Sequence, residues 1–199
     1  YYLSHTVDMM AVDTFVAKVN ADRAPDARLL PTALYALAIA RALKTFPEFN
    51  GHFADGTFLA STAVHLGIAT HLRSGGLVAP ALFDVEASDP DRVMRELRDL
   101  VTRVRAGRYR ARELSSGTIT MTSLGDRGVD VLYGVIYPPQ VAIVGIGKPR
   151  LLPWVEKGKI TARKIANITL AADHRVSDGH RGALFLRKID DYLQTPEKL

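Results

Sequence analysis

The stretch PTALYALAIARALKTF, residues 31–46, is apolar on nearly every side when wound as a helix. Such a helix is stable only where other elements pack all round it. Pro31 can open it at a first helical position, and Pro47 followed by Asn50-Gly51 bars its continuation. The chain must therefore build a core deep enough to enclose a whole helix. Its 199 residues give it the length to bury most of its apolar surface within one domain.

Around this helix the patterning alternates between strand and helix. Residues 1–8 read as a strand, and MMAVDTFVAKVNADR sets Val12, Phe15, Val16 and Val19 on one helical stripe. FNGHFADGTFLAS carries two turn pairs, Asn50-Gly51 and Asp55-Gly56, which predict short strands joined by tight hairpins. AVHLGIATHL and GLVAPALFDV predict two strands connected through Ser74-Gly75-Gly76. Ser88 or Asp89 can cap a helix with Pro90 in its first turn, Val93, Leu97, Leu100, Val101 and Val104 as its buried stripe, and Gly107 at its end. GTITMTSL, QVAIVGIG and RKIANITLAA, rich in Thr, Ile and Val, predict three further strands, and a last helix runs from about Gly179 to Leu193. No internal repeat or long linker divides this order. The expected fold class is α+β: one domain over residues 1–199, with a mixed β-sheet covered by helices.

Composition removes several function classes. A hydrophobic share of 47% and a charged share of 24% suit a globular chain and not a disordered one. No run approaches the roughly 18 apolar residues of a membrane span. YYLSHTVDMM lacks the basic and apolar regions of a secretory leader and enters strand-like residues without a starting methionine, so a preceding segment is expected in the natural protein. The absence of cysteine excludes disulfides, a cysteine nucleophile and thiolate metal sites, and it is compatible with a reducing compartment. A net charge of +5 favours acidic partners, a phosphate-bearing cofactor among them. The densest basic stretch, RELRDLVTRVRAGRYRAR, begins with interleaved acids at helical spacing and reads as a solvated helix face. Without a clustered stripe and stacking aromatics, neither nucleic acid nor membrane is expected as a partner.

The most reactive-looking segment is LAADHRVSDGHRG, residues 170–182. A strand built for burial ends on His174, between Asp173 and Arg175, and the chain turns through Asp178-Gly179 where the last helix begins. At such a junction backbone N–H groups are unsatisfied and side chains can reach into a cleft. Asp178 is placed to cap the helix, and Arg175 can pair with it or with another acid. Taken alone, the histidine fits a packed surface residue as well as a catalyst. His174 and His180 lack the spacing of a zinc pair, so no metal site is expected.

DHRVSDG closely resembles the His-x-x-x-Asp-Gly motif of the catalytic domain of dihydrolipoamide acyltransferases, the core components of 2-oxo acid dehydrogenase complexes. FPEFNG, HLGIAT followed by GLVAP, GTITMTSLG and YPPQVAIVGIG fall in the order of that family. The resemblance implies a chloramphenicol acetyltransferase-like sandwich and direct thioester exchange between dihydrolipoamide and coenzyme A, without an acyl-enzyme. It assigns His174 as general base and Thr122 of TSLG as the oxyanion donor, with the adjacent Ser123 as fallback. Asp178 becomes an organiser of the loop, with Arg175 as its nearest candidate partner, a distant arginine being equally allowed, and Gly179 completing the motif. Leu77, Val78 and Pro80, with Ser123, are the candidate coenzyme A contacts, and Tyr137 to Gln140 are candidates for shaping the channel. The resemblance further implies a homotrimer whose active site lies between subunits, with His174 and Thr122 from different chains. Coenzyme A would be a substrate, the lipoyl group would ride on a separate domain, and dehydrogenase and dihydrolipoamide dehydrogenase components would be partners. The implied setting is the bacterial cytoplasm, with the mitochondrial matrix second.

The chain also departs from the pattern. The N-terminal helix, lipoyl domain and subunit-binding domain usual upstream in relatives are absent from it. DRGVDVLYGVIYPP replaces a glycine- and phenylalanine-rich stretch that touches the acyl pocket, which leaves acetyl, succinyl and branched-chain groups open, the first and last favoured. TPEKL is more polar than the tails that join trimers in large cores, so assembly is expected to stop at the trimer. A stand-alone coenzyme A-dependent acetyltransferase acting on a small hydroxyl or thiol acceptor is the alternative.

Overall fold

The computed structural model describes residues 1–72, 75–125 and 128–199. Its strands are β1 (Tyr2–Asp8), β2 (Gly51–Ala54), β3 (Thr57–Ala60), β4 (Leu66–Ile68), β5 (Thr70–His71), β6 (Leu77–Val78), β7 (Ala81–Leu82), β8 (Ile119–Ser123), β9 (Ala142–Ile146), β10 (Arg150–Glu156) and β11 (Lys159–Ala172). The α-helices are α1 (Met10–Asn20), α2 (Pro31–Leu43), α3 (Pro90–Arg105), α4 (Ala111–Ser115) and α5 (Gly179–Gln194). The main sheet runs β1-β11-β9-β8-β4-β7, with β10 also paired to β11. β8 is parallel to both β9 and β4 while the other pairs are antiparallel, which makes the sheet mixed.

As its composition demands, α2 buries every residue from Ala33 to Leu43 except Arg41. Each large side chain among them, such as Leu34, Leu37 and Ile39, contributes about 1.5–3 kcal/mol through burial. Asp89 is the residue that caps α3, its carboxylate accepting from the Arg92 amide, and Gly107 follows the helix end at φ +71°, a conformation that costs glycine no Cβ clash.

The two faces of the sheet are covered differently. Ala142, Val144 and Ile146 of β9 join the core shared with the helices. The alternate residues Ile143 and Gly145 face the other way, against the extended segment 129–137. A Cβ on Gly145 would stand 2.3 Å from the Leu132 carbonyl oxygen, so only glycine lets this segment lie so close. Thr169 secures the same contact by donating to that carbonyl at 2.5 Å.

Several local expectations are corrected. Asn50-Gly51 is not a hairpin turn: Asn50 is buried and cross-links the chain, donating to the Ser61 and Ala63 carbonyls and accepting from the Thr118 hydroxyl. Asp55-Gly56 does form the β2–β3 turn. AVHLGIATHL is divided between β4 and β5, which belong to different sheets. Of the connection beyond it, Ser74 lies outside the described residues. Finally, β11 begins at Lys159, earlier than RKIANITLAA suggested, because RLLPWVE folds back on it through Lys157-Gly158. Pro153 concealed this strand; it sits on a strand with one unpaired edge, where a missing N–H is tolerated.

Candidate active site

Thr122 stands near the end of β8, opposite Gly145 of β9. There the sheet and α3 diverge and leave a cleft of about 1060 Å³ lined by Ile68, Thr70, His71, Leu77, Leu97, Arg98, Val101, Arg105, Met121, Thr122 and Ser123 among others. Its size and largely apolar wall with a few polar groups are those of a small-molecule site. The two hydroxyls differ. Ser123 Oγ accepts the Gly125 amide at 3.2 Å, which fastens the turn, while the Thr122 hydroxyl bonds to no other described residue. Of the proposed coenzyme A contacts, only Leu77 and Ser123 reach this cleft. Val78 pairs with Thr70 and packs on the core, and buried Pro80 accepts the Ile68 amide through its carbonyl. On the α3 wall, Arg98 is held by the carbonyls of Asp26 and Arg28, whereas Arg105 makes no ion pair among the described residues.

His174 belongs to the other end of the sheet. β11 ends at Ala172, and the Asp173 amide still donates to the Val141 carbonyl before the chain turns. The imidazole is exposed and makes no hydrogen bond to a described residue; its one recorded partner is the Tyr1 ring, edge-on at 5.0 Å between centroids. Asp178 caps α5 by accepting the Arg181 amide at 2.9 Å, and Gly179 opens the helix. Of the two alternatives for Arg175, Asp178 or another acid, the structure shows the second. Arg175 turns back to Asp173, donating from Nε and Nη2 at 2.7–3.1 Å, and lays its guanidinium over the Phe53 ring at 3.9 Å. An arginine two residues beyond an acid in a turn can fork onto it without loop strain. This fork holds the Asp173 carboxyl below the usual carboxylate range, with the Arg175 amide adding to the effect against some burial.

The strand register fixes the relation between these groups. Thr122 is opposite Gly145, Gly145 is opposite Thr169, and His174 lies five residues beyond Thr169. Two strand spacings and that run along β11 put the side chains roughly 15–20 Å apart within one chain. A base and an oxyanion donor serving one carbonyl must both lie within about 3 Å of reacting atoms. The structure thus brings Thr122, Ser123 and Leu77 together, brings His174, Arg175, Asp178 and Gly179 together, and keeps the two groups apart. Sequence patterning missed Tyr1, Phe53 and Asp173 beside the histidine and Arg105 in the cleft. Only Asp173 carried a local signal, its spacing from Arg175.

The family model for the 2-oxoacid dehydrogenases acyltransferase (catalytic domain) matches residues 1–199. The lipoamide acyltransferase component of the branched-chain alpha-keto acid dehydrogenase complex from Pseudomonas putida is 35% identical over 195 residues, covering 96% of this chain and 45% of that protein. The dihydrolipoyllysine-residue acetyltransferase component of the pyruvate dehydrogenase complex from Zymomonas mobilis is 30% identical over 196 residues, covering 98% of this chain and 44% of that one. The chain therefore spans less than half the length of these relatives. Among solved structures, Azotobacter vinelandii dihydrolipoamide acetyltransferase, studied for the roles of a serine, a histidine and an asparagine in its mechanism, matches with a TM-score of 0.89 at 27% identity over 98% of this chain and 81% of that chain. Chloramphenicol acetyltransferase shares the fold, with a TM-score of 0.65 at 17% identity over 97% and 87% of the two chains.

Proposed function

Because this chain belongs to the 2-oxoacid dehydrogenase acyltransferase (catalytic domain) family, we propose that it transfers an acyl group between coenzyme A and a dihydrolipoyl thiol at a site completed by two copies of the chain. The observation that carries this reading is the separation of His174 from Thr122: each is free to act, and neither can serve the other's substrate atoms within one chain. In the transfer, the attacking thiol passes its proton to the His174 imidazole as its sulfur adds to the thioester carbonyl. The Thr122 hydroxyl donates to the developing oxyanion. Collapse breaks the original carbon–sulfur bond, and the departing thiolate takes the proton back from the imidazolium. The same residues serve both directions, and no acyl-enzyme forms.

The cleft beside Thr122 suits the pantetheine arm, with Leu77 and Ser123 along it and Arg105 available to a phosphate. Asp178, four residues after His174, and Gly179 after it hold the turn that carries the histidine; in the Azotobacter vinelandii study the asparagine likewise follows the histidine by four. A homotrimer supplies the second copy. Two exposed apolar rows favour such association: Leu151, Val155 and Ile160 on the β10–β11 arm, and Val131, Tyr133, Val135 and Tyr137 along the segment over the sheet. The lipoyl group would arrive on a separate domain, in a complex with dehydrogenase and dihydrolipoamide dehydrogenase components. Among the described residues no helix is long and apolar enough to cross a membrane, and bacterial relatives together with a dithiol substrate favour the bacterial cytoplasm. The test is thioester formation from a panel of acetyl, branched-chain and succinyl coenzyme A donors with free dihydrolipoamide. Activity that depends on His174 supports the reading and ranks the acyl groups; a trimer inactive with every donor contradicts it.

A further inference from the structure

Among the described residues, the ring that meets His174 is that of Tyr1. That residue extends the β1–β11 ladder by one step, its nitrogen donating to the Ala172 carbonyl and its carbonyl accepting the Ala172 amide. The ladder delivers the phenol beneath the turn 173–178. There the hydroxyl donates to the Asp178 carbonyl at 2.8 Å and lies 2.8 Å from Ser177 Oγ. One phenolic proton cannot serve both, so Ser177 is the donor in the second bond. The ring edge meets His174 at 5.0 Å and 64°, a favoured T-shaped arrangement. Close packing confines the ring: a Cβ on Gly182 of α5 would come within 3.1 Å of the Tyr1 hydroxyl. Burial, the largest influence, pushes the phenol up from its ordinary value, so it remains a neutral donor throughout the physiological range.

We propose that Tyr1 is the positioning residue for His174, its ring fixing the imidazole orientation and its hydroxyl fixing the turn from which the imidazole projects. The inference rests on the assignment of His174 as general base. A base gains its effect from orientation as well as from proton affinity, and the exposed imidazole is hydrogen-bonded to none of the described residues.

The test uses Tyr1→Leu, Tyr1→Phe and His174→Ala in the trimeric protein, with kcat and KM for acetyl-coenzyme A and dihydrolipoamide and with NMR of the His174 ring protons. Tyr1→Leu is expected to lower kcat about three- to tenfold with each KM within about twofold, and to move the ring signals as the aromatic neighbour is lost. Tyr1→Phe keeps the ring and is expected to restore the signals and most of kcat. Unchanged kcat in folded Tyr1→Leu, beside a His174→Ala protein that is inactive, overturns the positioning role while leaving the base intact. Full activity in His174→Ala removes the base assignment and the inference with it. If Tyr1→Leu lowers kcat without moving the ring signals, Tyr1 acts on the fold and not on the imidazole, and the proposal fails.

Discussion

The end of β8 and the end of β11 present two opposite ways of exposing a reactive group. Thr122 sits on the wall of a cleft that α3 closes from one side, and its hydroxyl is one free polar group among apolar neighbours. His174 sits on an exposed turn, beside Tyr1 and the Arg175–Asp173 fork over Phe53. On the proposed reading, the first end offers the substrate cleft and the oxyanion donor and the second offers the base, so a single chain holds both halves of the chemistry without joining them.

Substitutions in the two regions should therefore fail in different ways. The largest effect is expected at His174: His174→Ala should lower kcat by about 10² to 10⁴ while costing about 1 kcal/mol of stability at most, because the exposed ring packs on Tyr1 by one edge contact. Near-wild-type turnover would remove it from the mechanism. Thr122→Ala should follow, with a loss of about 10² to 10³, while Thr122→Ser retains most activity. Equal losses in Ser123→Ala and Thr122→Ala would contradict the distinction drawn from the Gly125 contact.

Elsewhere on α3 the dependence is structural. Glu113 of α4 is buried and receives Arg103 of α3 at 2.8 and 3.0 Å, together with the Arg110 amide. Glu113→Ala should cost about 2 kcal/mol, measured by urea unfolding, because it removes a buried charged hydrogen-bond partner while Arg103 keeps Asp99 at 2.7 Å. Burial raises the Glu113 carboxyl, but the guanidinium and the amide more than offset this and hold it below its ordinary value. A group depressed on folding stabilises the protein above its unfolded pKa and loses that contribution as pH falls through the folded one. Stability should thus decline below about pH 4.3, more steeply in wild type than in Glu113→Gln. Parallel declines would mean that other carboxylates dominate. The smallest effect is expected at Arg175, where Arg175→Ala should reduce kcat only a few-fold and Arg175→Lys should not rescue it, since a lysine can neither fork nor stack in the same way. Rescue by lysine would reduce the contact to simple charge.

The sequence made the fold legible where one rule acted locally. The all-round apolar α2, the Asp89 and Asp178 caps, Gly107 and the alternating β8 and β9 each follow from their own few residues. It misled where a distant contact decided. Asn50-Gly51 looks like a turn, yet Asn50 is committed to carbonyls beyond Ser61. RLLPWVE looks unlike a strand, yet it pairs because its outer edge needs no proline N–H. At the site, the motif singled out His174 and Asp178, and it left open which acid Arg175 would meet; the structure shows Asp173, with Phe53 under the guanidinium. Tyr1 could not be associated with His174 before the β1–β11 register was known.

The most direct test of a site shared between copies is complementation. His174→Ala and Thr122→Ala chains are prepared separately, mixed in equal amounts, dissociated, and reassembled. In a randomly mixed cyclic trimer with one shared site per interface, about a quarter of sites join an intact His174 to an intact Thr122. The account therefore requires recovery to about a quarter of wild-type turnover from two nearly inactive parents. A mixture that stays at the average of its parents, although hybrid trimers are present, would show that each chain contains its own complete site.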